Sequence, residues 1–444
     1  MTESAEIWLG AAAIIAAVVI PYFVSFRRRN SRDLERKQEA AKLGIDRPLS
    51  QFPYIDATWC IGCGACVTAC PEGDVLGIVG GTATVINGMR CVGHGVCETA
   101  CPVGAIEVGL GDLRWRSDLP LLRPDFETSV PGLFVVGELG GLALFKNAVA
   151  QGRAVGKHIA ARAGKRRPGQ DDVVDVAVVG AGPAGISAAL TALELGLRPL
   201  VLEQEQHLGG TVLHYPRRKL VLVQSVDLPR STHLPGGEHT KEDLLELLER
   251  LITQARLQVR FGSRVADVRK EGDVFILSNG EKTIRARFVV LALGRRGTPR
   301  KLGVPGEELA KVMYKLIDAD SYRNQRILVV GGGDSAVEAA IGLAQGAGNE
   351  VTLSYRKEKL VRIKQKNEQR FGRLVSAGKV RLAFSTEVTE ILPGAVRLRK
   401  EGGTLEVRND YVFIFAGGEP PLELLNRIGV RLGGGNAEPV AVSA

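Results

Sequence analysis

An α/β architecture is predicted by three features of this 444-residue sequence: two parallel-sheet units behind a small cysteine-dense α+β module and an apolar N-terminal helix. A strand–glycine turn–helix–strand pattern begins at residue 172 and recurs near Gln325, and such alternation implies a parallel sheet each time. All seven cysteines fall between residues 60 and 101. Residues 7–26, IWLGAAAIIAAVVIPYFVSF, form a run of twenty without a charge.

In chain order, the apolar run comes first. Its length is enough to cross a hydrocarbon core of about 30 Å at about 1.5 Å per residue. A cleaved leader would want a basic start; here Glu3 and Glu6 precede the run, and Arg27, Arg28, Arg29, Arg32, Arg36 and Lys37 follow it. The expectation is an uncleaved single-pass anchor over residues 1–26 in the inner membrane, kinked at Pro21. The arginines and everything after them lie on the cytoplasmic side. Residues 27–50, charged and without a sustained apolar face, read as a solvated juxtamembrane stalk. The formal charge of +9 sits in this cluster and in GKRRPG (164–169). Neither interleaves with aromatics, so nucleic acid is not expected as a partner.

Residues 51–110 hold the cysteines, which in a reducing compartment point to metal rather than disulfides. CIGCGACVTACP places Cys60, Cys63, Cys66 and Cys70 before Pro71 in the C-x2-C-x2-C-x3-C-P spacing that wraps a cubane. CVGHGVCETACP repeats it with Cys91, His94, Cys97, Cys101 and Pro102, a histidine standing in the second position. The region resembles the bacterial two-cluster ferredoxin. That resemblance implies one 4Fe–4S cluster on Cys60, Cys63, Cys66 and Cys101, and a second on Cys91, Cys97 and Cys70 with His94 at the fourth place. The second cluster is then either a His-ligated 4Fe–4S centre of raised potential or a three-cysteine 3Fe–4S centre.

Residues 111–170 contain a strand, GLFVVGE, then a long helix. Residues 171–300 carry Gly180, Gly182 and Gly185 as G-x-G-x-x-G between strand and helix, with Glu203 after the next strand. The first glycine makes the turn, the second admits a pyrophosphate, the third lets helix meet strand, and the acid takes ribose hydroxyls. Residues 301–416 carry Gly331, Gly333, Ser335 and Ala336 in the G-x-G-x-x-A form. Counting along the chain places Ser354 at the Glu203 position, followed by Tyr355, Arg356 and Lys357. Without a carboxylate and with an arginine, NADPH is favoured over NADH, which stays possible.

Two such Rossmann-like folds, the second embedded in the first, resemble the two-dinucleotide flavoproteins, thioredoxin reductase and the ferredoxin–NADP reductase of that type. The resemblance implies FAD on the first turn and NADPH on the second. It places residues 209–222, with Gly210, Thr211 and Lys219, near the flavin. It reads residues 417–444 as the return to the FAD domain, and it implies a homodimer. The family's last strand and helix, which follow the return strand, are found upstream instead, at residues 128–152. Gly137 matches the family glycine, with Glu138 where aspartate is usual. The FAD domain is therefore expected to be circularly permuted, with the positive end of a helix starting near Leu142 facing the flavin. The family's C-x-x-C has no counterpart, since residues 301–416 contain no cysteine.

The function implied is an NAD(P)H-dependent flavin and iron–sulfur oxidoreductase, exchanging a hydride for single electrons that two clusters carry. Hydride transfer requires no general acid or base, so no catalytic residue is named. Expected partners are a soluble ferredoxin, or a membrane cytochrome or quinone-reducing subunit. The competing readings are an electron-wiring subunit of a membrane complex, a redox sensor and a disulfide reductase with an external dithiol.

Overall fold

The computed structural model describes residues 3–46, 51–110, 117–141, 144–164, 172–217, 219–280, 282–295 and 298–433. It divides into two compact units, Met1–Gly111 with Lys364–Lys366, and Asp112–Ile363 with Asn367–Ala444.

The first unit opens with α1, Glu3–Lys42, which carries Pro21 inside it and continues through the arginine cluster. Among the described residues no helix is long and apolar enough to cross a membrane. The expected single-pass span is thus not supported here; the side chains of residues 7 and 9–12, part of that run, lie outside the described set. The stalk expectation is corrected. Asp33 is buried, and its Oδ2 accepts the Ile78 amide at 2.9 Å, while Asn30 Oδ1 accepts the Gly80 amide at 2.7 Å. Arg36 pairs with Asp33 at 3.2 Å and also with Asp74. The helix docks through polar side chains that satisfy backbone amides of a short strand, so it needs no apolar stripe.

That strand is part of the cysteine module. There β1, Gln51–Ile55, pairs antiparallel with the last strand, Ile106–Leu110. Between them β2, Leu76–Val79, and β3, Thr82–Val85, form a hairpin. Each cysteine loop leads into a short helix, α2 at Ala65–Ala69 and α3 at Val96–Thr99. Val75, Leu76, Ile78, Ala83 and Ile106 make the core together with Cys66.

The second unit contains a seven-stranded sheet. Its order is Val259–Arg260, Pro199–Leu202, Val173–Val179, Thr283–Leu291, Val274–Ser278 and Asp267–Glu271. The strand Leu133–Val135 adds to it, parallel to Thr283–Leu291. So a strand that precedes the first glycine turn in the chain belongs to that turn's sheet, the arrangement expected for a permuted domain. The helix Phe145–Arg162 packs on Pro183–Glu194 at close range. A Cβ on Gly152 would collide with the Ala184 carbonyl, and one on Gly156 would lie 2.7 Å from Thr191 Cβ. Ser187 Oγ locks the pair by donating to the Val149 carbonyl at 2.8 Å.

A five-stranded parallel sheet carries the second turn, in the order Val312–Met313, Tyr411–Ile414, Arg326–Val330, Glu350–Tyr355, Val380–Phe384. The chain passes between the two sheets where Thr298–Pro299 pairs antiparallel with Gly418–Glu419. It then returns: Leu425 and Val430 enter the core with Leu133 and Val135. The expected start of the flavin-facing helix near residues 142–143 and the tail after residue 433 lie outside the described residues.

Candidate functional site

The two cysteine loops fold alike. Gly62 and Gly64 have φ of +65° and +79°, and Gly93 and Gly95 have +76° and +78°, the left-handed region that glycine tolerates. His94 therefore occupies in its loop the place Cys63 occupies in the other. Cys63 is exposed, whereas the His94 side chain is only 12% exposed. Cys70, Cys91, Cys97 and His94 line one small pocket together with Glu72, Leu76 and Val108 among others. Among the described residues no three of His, Cys, Asp and Glu converge as single-ion ligands do; the thiols stand around a space.

Burial pushes the thiols of Cys66, Cys91 and Cys97 up to about 11, and neighbouring thiols add to it: Cys60, Cys97 and Cys63 for Cys66, Cys70 for Cys91, Cys91 and Cys70 for Cys97. Cys60 and Cys63 thus lie near Cys66, and Cys70 near Cys91 and Cys97, while Cys97 also lies near Cys66, so the thiols form one continuous neighbourhood. Buried thiols that repel one another as thiolates need a cation to hold them ionised, which iron would supply. Two thiols already accept backbone amides, Cys60 Sγ from Ala83 at 3.3 Å and Cys101 Sγ from Ala105 at 3.2 Å, as cluster thiolates do. Burial also lowers the His94 imidazole to about 4, with Lys364 adding to the effect, so it is neutral, the form that binds metal. Its Nε2 lies 3.5 Å from Glu72 Oε1, a carboxylate that sequence reading missed. The residues present fit an iron–sulfur pair.

At the first glycine turn, the Gly180 amide donates to the Leu202 carbonyl at 2.8 Å, and its φ is +109°. A Cβ there would collide with the Ala292 carbonyl, and one on Gly185 with the Gly180 carbonyl. Over Gly182, by contrast, the nearest atom to an added Cβ is Gly210 Cα at 3.8 Å, so the turn is open where a phosphate would approach. The segment with Gly210 and Thr211 covers this turn, Gly209 donating to the Ala181 carbonyl at 2.9 Å. Glu203 is buried; Oε2 accepts the Ala181 amide at 2.6 Å and Oε1 the Glu205 amide at 2.9 Å. Gly137 belongs to the same neighbourhood, 3.2 Å from Ala184 by its notional Cβ, and its amide donates to the buried Gln151 Oε1 at 2.7 Å. Gln151 is a second residue sequence reading missed; nothing in its spacing marks it. Glu138 stands in the short 3-10 turn after Gly137. The open turn, the buried acid and the covering segment fit a dinucleotide.

The second turn repeats the wiring. Gly331 donates to the Ser354 carbonyl at 3.0 Å, has φ of +141°, and an added Cβ would lie 2.5 Å from the Phe415 carbonyl and 3.1 Å from Ala336 Cβ. Nothing lies within 4 Å of a Cβ built on Gly333, and Ser335 follows in the first helical turn. The register corrects the expectation for Ser354. Val330 pairs with Ser354 as Val179 pairs with Leu202, so Ser354 answers to Leu202, and the counterpart of Glu203 is Tyr355. Accordingly Ser354 is buried and bonded to Thr386 Oγ1 at 2.9 Å, while the Tyr355 ring lies over Gly332 as Glu203 lies over Ala181. Arg356 is exposed beside it.

Lys219, expected near the flavin, has protein partners. Its ammonium pairs with Glu338 at 2.6 Å and sits 4.3 Å from the Tyr215 ring centre. Glu338 and Asp334 also accept Asn367 Nδ2, at 3.1 and 2.7 Å. Lys219 thus joins the covering segment to the helix of the second turn, a contact no local pattern announces.

Comparison with known proteins agrees with this geometry. Residues 177–440 match the family model described as pyridine nucleotide-disulphide oxidoreductase, and residues 52–102 match that of the 4Fe-4S dicluster domain. A ferredoxin–NADP reductase of Ignicoccus hospitalis is 32% identical over 270 residues, 59% of this chain and 82% of that one. A thioredoxin reductase of Mycolicibacterium smegmatis is 34% identical over 57% of this chain and 78% of its own. Among solved structures, the bacillithiol disulfide reductase Bdr (YpdA) of Staphylococcus aureus superposes with a TM-score of 0.54 at 27% identity, covering 58% of this chain and 80% of that one.

Proposed function

The chain belongs to the pyridine nucleotide-disulphide oxidoreductase family and adds a 4Fe-4S dicluster domain to it, and from that premise we propose how the parts work together. It is an NAD(P)H-dependent, FAD-containing oxidoreductase that exchanges electrons with a ferredoxin-type carrier through two iron–sulfur clusters. The observation that carries this reading is the presence, in one chain, of two open glycine turns and two like-folded cysteine loops. When bound, FAD converts a hydride into single electrons and the clusters pass them one at a time.

The chain's own residues divide the work. Gly180, Gly182 and Gly185 admit the FAD pyrophosphate, and Glu203 holds the turn by its Ala181 amide while presenting a carboxylate to the ribose. Gly210 and Thr211 roof that turn, and Gly137 and Glu138 reach it from the permuted element. Gly331, Gly333, Ser335 and Ala336 take the NADPH pyrophosphate, and Tyr355 and Arg356 take the adenosine end, where a guanidinium pairs with a 2′-phosphate. Cys60, Cys63, Cys66 and Cys101 hold one cluster; Cys70, Cys91, Cys97 and His94 hold the other. His94 as a neutral ligand raises that cluster's potential relative to the first.

The N-terminal anchor and cytoplasmic orientation are part of this proposal. They rest on the uncharged run of residues 7–26 and on the exposure of Ile14, Ile15, Val18, Val19, Ile20, Tyr22 and Phe23 along α1. A cytochrome or quinone-reducing subunit is then a partner of the same chemistry at the membrane, and a homodimer is the assembly the family resemblance implies. The test is NADPH-dependent reduction of a purified two-cluster ferredoxin by the full-length protein. Turnover supports the reading; a protein with full FAD and iron content that shows no turnover in either direction refutes it.

A further inference from the structure

Glu72 immediately follows the Cys70–Pro71 pair and lines the same cavity as His94. Both side chains are nearly closed off, 8% and 12% exposed, and Glu72 Oε1 is 3.5 Å from His94 Nε2. Burying a carboxylate against an imidazole is costly unless the two share a proton-mediated contact. A neutral imidazole has one N–H and one lone pair, so the nitrogen that donates to a carboxylate is not the one that binds metal. We infer that Glu72 is a positioning residue for the second cluster: it accepts the Nε2 proton of His94, fixes the tautomer, and makes Nδ1 the iron-binding nitrogen.

The inference rests on the reading that His94 ligates the second cluster, and it deepens that reading. Carboxylates that accept the far N–H of a metal-bound histidine set ring orientation and raise its basicity. Here the effect would oppose in part the rise in potential that a neutral ligand causes. It also explains why a loop with histidine in place of cysteine stands beside a buried acid, whereas the all-cysteine loop presents Cys63 to solvent.

The experiment uses the full-length protein, reconstituted anaerobically, with histidine labelled by ¹⁵N. Pulsed EPR of the reduced second cluster reads nitrogen coupling, and a redox titration reads its midpoint. E72Q is measured in the native and the H94C backgrounds, and the first cluster reports in every sample that the module is folded. Expected are a nitrogen coupling in the native protein that changes in E72Q, and an upward midpoint shift in E72Q that is markedly smaller in H94C. A nitrogen coupling that E72Q leaves unchanged, or an equal midpoint shift in both backgrounds, overturns the role of Glu72 while His94 ligation stands. No nitrogen coupling in the native protein sinks His94 ligation and, with it, the inference.

Discussion

The two glycine turns of the second unit share a skeleton and differ at one position. In both, the first glycine donates to the neighbouring strand, at Leu202 or Ser354, and abuts a carbonyl of the strand beyond, Ala292 or Phe415. In both, the second motif glycine, Gly182 or Gly333, has no atom closer than 3.8 Å to an added Cβ. Over the turn, however, one carries the Glu203 carboxylate and the other the Tyr355 ring. The shared part fits a dinucleotide; the residue laid across the turn, with its neighbour, is where the two turns differ in chemistry. A carboxylate accepts ribose hydroxyls and repels a 2′-phosphate, whereas an aromatic ring followed by Arg356 does neither.

The largest effect should come from breaking what the turns share. Gly185→Val drives a side chain into the Gly180 carbonyl, an overpacking worth on the order of 1–3 kcal/mol or more. The purified protein should lack flavin by absorbance while its iron content persists. Next is Glu203→Ala, which leaves the buried Ala181 and Glu205 amides without their acceptor, at about 1–3 kcal/mol. Flavin affinity should fall by roughly a factor of 5 to 150 in an equilibrium titration, with NADPH binding to the other turn unchanged.

A smaller change sharpens the difference itself. Arg356→Ala removes an exposed guanidinium whose bond to a phosphate is worth about 1.5–3 kcal/mol. The NADPH-to-NADH ratio of kcat/KM should drop at least about tenfold, and Tyr355→Glu in that background should push it toward NADH. An unaltered ratio would remove Arg356 from the site. The smallest effect is expected from Lys219→Ala. Its pair with Glu338 is partly exposed and worth about 0–1 kcal/mol, so Tm should move little and the flavin spectrum should stay as it is. A shifted spectrum would place Lys219 beside the flavin.

What the sequence made legible was whatever depends on spacing along the chain. The G-x-G-x-x-G and G-x-G-x-x-A turns, the two cysteine runs and the upstream strand at Leu133–Val135 are all local signatures, and each is found where its pattern indicated. What stayed hidden was contact across the chain. Asp33 looks like a solvated charge until the Ile78 amide is seen against it; Gln151 and Glu72 carry no signature at all. The count from Gly331 to Ser354 equals that from Gly180 to Glu203, yet the strand registers differ by one residue. Only pairing reveals that Tyr355 is the residue laid over the turn. Spacing therefore located the second turn and misassigned the residue laid over it.

The central claim is that the nucleotide turns and the cysteine loops serve one electron path. The most direct measurement is anaerobic reduction by NADPH, followed by low-temperature EPR and the flavin absorbance in the same sample, with dithionite as the reference for full reduction. Flavin bleaching is expected to be accompanied by reduction of the His94-containing cluster, the higher in potential of the two. Bleached flavin beside a cluster that stays oxidised, in a sample where NADPH's potential lies below that cluster's measured midpoint, would contradict it.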